Sequence, residues 1–128
     1  MERSEVAAFV EKTYAARKAG DLEGVVKAFA PNAVMSLPGF VRAEGADEIR
    51  TTLKALIGDF EFLEINPVDL IVEGTRAALH WRLRLRHAPS GEIRETEVCD
   101  VWRFQNGLVV SFTQFCDTAM VAELAAGA

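Results

Sequence analysis

Residues 75–86 contain a period-two run without a break. Ala77, Leu79, Trp81, Leu83 and Leu85 fall on one side, and Ala78, His80, Arg82, Arg84 and Arg86 on the other. Successive side chains of a strand point to opposite faces, so this run specifies a strand with one dry face and one wet face. A chain that contains it must build a sheet and supply something to cover the dry side. The first half of the sequence supplies that cover as helices. Residues 4–19 place Val6, Phe9, Val10, Thr13 and Tyr14 at helical spacing, with Ser4 as the N-cap and Gly20 as the stop. Asp21 caps a short second helix over 22–30, with Val25, Val26 and Phe29 as its apolar face, and Pro31-Asn32 ends it. A third helix spans 46–57 through Ile49, Leu53, Leu56 and Ile57.

The remaining segments read as strands. One short strand covers 33–37 and stops at Pro38-Gly39. Four more follow at 59–72, 75–86, 93–104 and 108–117, with a bulge or bend expected at Pro67. Helices first and strands after predict an α+β fold, with the helices packed on one face of the sheet. At 128 residues the chain forms one domain, residues 1–128, large enough to fold without disulfide or metal staples.

Composition narrows the function classes. There are 14 basic and 19 acidic residues, a net charge of −5, which argues against nucleic-acid or anionic-membrane partners. No run of about 18 apolar residues is present to span a membrane. The N-terminal segment lacks an apolar h-region, so the expected location is the cytoplasm, with Cys99 and Cys116 as free thiols. His80 and His87 have no cluster of acids or cysteines around them, and neither a metal site nor a cofactor is expected.

The register of the last hairpin decides where the chemistry falls. A two-residue Asn106-Gly107 turn would pair Gln105 with Leu108 and place Phe112 beside Glu97 and Arg103. A three-residue loop with a glycine bulge pairs Phe104 with Leu108 instead. It gathers Val98, Asp100, Trp102 and Phe104 on one face with Leu108, Val110, Phe112, Gln114 and Cys116. Burial selects this second register, because a one-residue slip turns every side chain over. Asp100 then lies on an apolar face, with Leu79 and Trp81 brought beside it. Desolvation favours the neutral form of such a carboxyl, which can donate a hydrogen bond or act as a general acid. Tyr14 and Gln114 are the other polar groups on inward faces. The outward arginines pair with Glu95 and Glu97 across strands, which accounts for them without a ligand.

A helix with Tyr14 near its end, then GDLEGVVKAFAPNAVMSLPG, a helix opened by EGADEI, and strands ending in EVCDVWRFQNGLVVSFTQFCDTA resemble the nuclear transport factor 2-like superfamily. More narrowly, the chain is similar to its SnoaL-like and ketosteroid-isomerase-like bacterial members over about residues 5–125. The resemblance implies a cone-shaped half-barrel: a strongly bent, mainly antiparallel sheet wraps three N-terminal helices and encloses an apolar pocket. It also implies a homodimer through the outer sheet face. Steroid isomerases of this family use a helix tyrosine, an aspartate base on the first strand and a protonated aspartic acid on the penultimate strand. Those positions fall here on Thr13 or Tyr14, on Leu37 and on Asp100. Leucine cannot abstract a proton, so the donor pair is matched and the base is not. The position of the epoxide-hydrolase-like members' last-strand aspartate is Gln114.

The expected site therefore has Asp100 and Tyr14 as catalytic groups. Leu37, Leu79, Trp81, Val98, Trp102, Phe112, Gln114 and Cys116 are expected to bind a small apolar, carbonyl-bearing or cyclic molecule. Isomerisation, dehydration or cyclisation are the reactions in view. The competing readings are a non-catalytic module that binds a hydrophobic ligand and a dimeric assembly module.

Overall fold

The computed structural model describes residues 1–127. In chain order the elements are α1 (Arg3–Ala19), α2 (Leu22–Val26), β1 (Phe29–Leu37), β2 (Val41–Glu44), α3 (Gly45–Asp59), β3 (Phe60–Glu73), β4 (Arg76–His87), β5 (Ile93–Gln105), β6 (Leu108–Phe115) and α4 (Thr118–Ala126). The strands form one six-stranded sheet in the order β2-β1-β6-β5-β4-β3. All neighbours are antiparallel except β1 and β6. The sheet curls without closing, and its concave face carries the core. β3 shifts register between Phe62 and Glu64 and again between Pro67 and Asp69. Bulges of this kind bend a strand and sharpen its twist.

The dry side of β4 is buried as its alternation requires: Ala77, Leu79, Trp81, Leu83 and Leu85 are all in the core. The wet side carries a ladder of exposed ion pairs, Arg82–Glu97 at 3.7 Å, Arg84–Glu95 at 3.8 Å and Arg84–Glu64 at 3.7 Å. Pairs this exposed contribute at most about 1 kcal/mol each. They mark the outer face without holding the fold together.

α1 starts one residue earlier than Ser4, after a capping box between Glu2 and Glu5. It ends where Gly20 adopts φ +73°, a left-handed cap that favours glycine. Its buried stripe is Val6, Val10, Thr13, Tyr14 and Arg17. Asp21 caps α2 by accepting from the Gly24 amide at 3.0 Å. That helix stops at Val26, four residues short of the expected end, because Phe29 already pairs with Val109 in the sheet.

Two elements go beyond the sequence reading. β2 pairs back onto β1 as the sheet edge, and α4 makes a fourth helix. Asp117 caps α4 by accepting from the Met120 amide at 3.1 Å, and the helix buries Met120 and Leu124.

The last hairpin corrects the expected register. Asn106 at φ 54° and Gly107 at φ 76° form a two-residue turn, and Gln105 pairs with Leu108. Such primed turns match the strand twist. The register then shifts by one at Val110: Phe104 faces Val109, and Arg103 faces Ser111. Trp102 thereby meets Phe112, and Asp100 meets Gln114, as burial demands. At the tip, however, the inward residue is Val109, which is wholly buried, in place of Leu108 and Val110. Val109→Asp is therefore expected to lower unfolding free energy by about 3 kcal/mol or more, by burying a carboxylate without a partner. Val110→Asp should cost clearly less. Urea denaturation of both variants checks this, and equal losses would contradict the bulge.

Candidate active site

The concave face of the sheet and the buried stripe of α1 enclose a cavity with a volume of about 100 Å³. Its wall is largely apolar, with contributions from Leu37, Phe62, Val98, Trp102, Phe112 and Met120. The polar groups on it are Thr13, Tyr14, Arg17, Thr96, Gln114 and Cys116. A second, more open cleft of about 420 Å³ lies between α1 and β3 and shares Tyr14 with the first. Its charged groups, Glu11 and Lys18, stand on the outer side of α1. The first cavity is where polar side chains from α1 and the inner sheet face converge.

Asp100 is completely buried on β5 and lines neither the cavity nor the cleft; it sits behind Tyr14. Its Oδ2 accepts a hydrogen bond from the Tyr14 hydroxyl and another from Trp81 Nε1 at 2.8 Å. Oδ1 has no partner. Gln114 stands opposite in the β5–β6 ladder, but its amide closes no hydrogen bond onto that oxygen. Burial pushes the Asp100 carboxyl up to about 7, and the groups of Tyr14, Gln114 and Trp81 only partly offset it. The Tyr14 phenol is raised well above its ordinary value, first by burial and then by the neighbouring Asp100. Trp102 Nε1 is also buried without a hydrogen bond, and its indole packs on Tyr14 with ring centroids 5.9 Å apart.

This arrangement separates the expected residues into two layers. Tyr14, Leu37, Val98, Trp102, Phe112, Gln114 and Cys116 face the cavity. Leu79 and Trp81 do not: Leu79 lines the outer cleft, and Trp81 sits behind the wall as a donor to Asp100. Asp100 itself reaches the cavity through Tyr14. The choice between Thr13 and Tyr14 as the inward residue does not arise, because the helix turns both inward. Both line the cavity, but Thr13 spends its hydroxyl on the Phe9 carbonyl at 2.8 Å, one helical turn back.

Arg17 was not anticipated. It extends the Val6, Val10, Thr13, Tyr14 stripe by one more turn, and that phase was the signal available. Neither cysteine suits nucleophilic work, since burial raises both thiols and disfavours the thiolate. Among the described residues no cluster of three or more histidine, cysteine or acidic side chains could hold a metal ion, and no helix is long and apolar enough to cross a membrane.

The family model for the SnoaL-like domain matches residues 10–112, and the chain belongs to that family, within the nuclear transport factor 2-like superfamily. Among solved structures it is similar to a nuclear transport factor 2-like protein of unknown function from Burkholderia pseudomallei K96243. The two are 25% identical with a TM-score of 0.82, over 97% of this chain and 98% of that one. A candidate SnoaL-like polyketide cyclase from Jannaschia sp. CCS1 matches at 15% identity and TM-score 0.83, over 97% and 96% of the two chains. An epoxide hydrolase from Mycobacterium tuberculosis, of the limonene-epoxide-hydrolase-like type, matches at 22% identity and TM-score 0.77, over 97% and 92%. No curated protein matches.

A raised carboxyl has a consequence for stability. Between 3.8, the ordinary value, and about 7, the folded state holds a proton that the unfolded chain has lost. Stability from Asp100 is thus complete below the first value and lost as pH rises through the second, about 4 kcal/mol in all. Asp100→Asn should flatten the fall in unfolding free energy seen by urea titration as pH rises from about 4 to about 7. Identical pH slopes for the two proteins would contradict the assigned shift.

Proposed function

We propose that this chain is a small-molecule enzyme of the SnoaL-like type, acting on a compact, apolar, carbonyl-bearing substrate. The carrying observation is the buried Tyr14–Asp100 pair at the edge of an apolar cavity. When Asp100 carries its proton on Oδ2, the bond between the two groups can run the other way. Asp100 then donates to the phenol oxygen, and the phenol hydrogen turns into the cavity. A carbonyl oxygen placed there accepts it, and the carbonyl carbon becomes more electrophilic and its α-hydrogen more acidic. The Trp81 indole holds Oδ2 in place throughout. The reaction in view is isomerisation, dehydration or cyclisation promoted by a proton donor.

The wall holds no carboxylate or imidazole among the described residues, and the position of the family's aspartate base is Leu37. That favours a second reading, in which the same pair orients a carbonyl ligand without transforming it. Turnover separates the two.

Removal of one preorganised donor to a developing oxyanion lowers kcat by about 10²–10³-fold. Tyr14→Phe should show such a loss on a small cyclic ketone substrate found by screening, while the fold persists. The activity of the unaltered protein should fall as pH rises through about 7, as Asp100 ionises and claims the phenol hydrogen. Full activity of Tyr14→Phe would overturn the proposal. Ketone binding without turnover, weakened by the same substitution, would establish the second reading.

A further inference from the structure

Arg17 presents a charge that the fold does not neutralise. It is 9% exposed, one turn beyond Tyr14 on α1, and it lines the same cavity. Its guanidinium lies 3.7 Å above the centre of the Phe62 ring. Nη2 donates to the Phe60 carbonyl at 2.8 Å and to the Leu56 carbonyl at 3.2 Å, at the C-terminal end of α3. No carboxylate pairs with it among the described residues, although nine arginine–glutamate ion pairs form elsewhere among them. Nε and Nη1 make no hydrogen bond in the protein, and neither is sealed away as Asp100 Oδ1 and Trp102 Nε1 are.

Burying a cation without a counter-ion is costly. An aromatic face and two carbonyls reduce that cost but do not cancel the charge. Burial alone lowers its pKa to about 10, so it remains charged at neutral pH. The free donors of a guanidinium form a planar fork that matches a carboxylate. Residues three apart on a helix have Cβ atoms about 5–6 Å apart, so one small molecule can reach both Arg17 and Tyr14.

We propose that Arg17 is the anion-binding residue of this cavity, and that the ligand is an apolar oxo-carboxylic acid. Its carboxylate pairs with the Arg17 guanidinium, and its carbonyl oxygen meets the Tyr14 hydroxyl. This rests on the reading of Tyr14 as a carbonyl donor and adds to it the acid function and the spacing between the two groups. The alternative role for Arg17 is a clamp that ties α1 to the end of α3. A clamp gives no preference between a charged ligand and its neutral counterpart.

The test is isothermal titration of the unaltered protein with 4-oxo-4-phenylbutanoate and with its neutral amide. The acid should bind at least tenfold more tightly. Arg17→Gln keeps a donor for the Phe60 carbonyl and should remove the preference while amide binding persists. Arg17→Lys should retain part of it. Tyr14→Phe should weaken both compounds and leave the preference intact. Equal affinities of acid and amide for the unaltered protein would overturn the Arg17 assignment and leave the Tyr14 reading standing. A preference for the acid that Tyr14→Phe does not weaken would support Arg17 and overturn the Tyr14 reading. Failure of both compounds to bind the unaltered protein would overturn both. The first comparison needs no variant, so a poorly folding Arg17→Gln protein does not shield the proposal.

Discussion

The carboxyl of Asp100 is the constraint around which the site is arranged. It lies on β5, wholly buried, and its bonds run to Tyr14 on α1 and Trp81 on β4. Those three groups join the first helix to the adjacent strands β4 and β5. A buried polar group must be satisfied or it opposes folding, so the pair fixes both the rotation of α1 and its height above the sheet. Once that rotation is set, Thr13 and Arg17 also point inward, and the cavity acquires its polar groups from one helical stripe.

The same constraint explains why the aromatic residues do not fill the cavity. Trp81 turns its indole toward Asp100 and leaves the wall, packing 5.8 Å from the Phe62 ring. Trp102 stays on the wall, held between Phe104 and Phe112. Two indoles on one face of adjacent strands therefore serve different ends, one as a donor behind the wall and one as part of it. The outer face of the sheet, by contrast, carries its charges in exposed pairs and contributes little to the site.

Much of this was legible in the sequence. The alternation of β4 and the burial argument for the last hairpin placed Asp100 on an apolar face, and the spacing of α1 placed Tyr14 above it. The details that escaped have physical causes. The hairpin satisfies two preferences at once: Asn106-Gly107 takes its favoured two-residue turn, and a bulge at Val110 restores the buried face. Either preference alone gives a wrong tip. Arg17 continued the α1 stripe, but an arginine after an apolar run ordinarily reads as a solvated helix end. Here the C-terminal carbonyls of α3 and the Phe62 ring accommodate it, and those contacts exist only in the folded chain. α4 was missed because Asp117, two residues beyond the end of β6, was read as a strand end when it is a cap. β2 is four residues long, too short for a pattern to declare itself.

The account turns on the ionisation state of one carboxyl. The most direct measurement is the 13Cγ chemical shift of Asp100, assigned with Asp100→Asn and followed by NMR from pH 4 to 9. A midpoint near 7 is predicted, because burial outweighs the hydrogen bonds that favour the charged form. A midpoint at or below about 4, the value of an ordinary solvated aspartate, would contradict the account, because Asp100 would then hold the Tyr14 hydrogen at every physiological pH and leave none for a ligand.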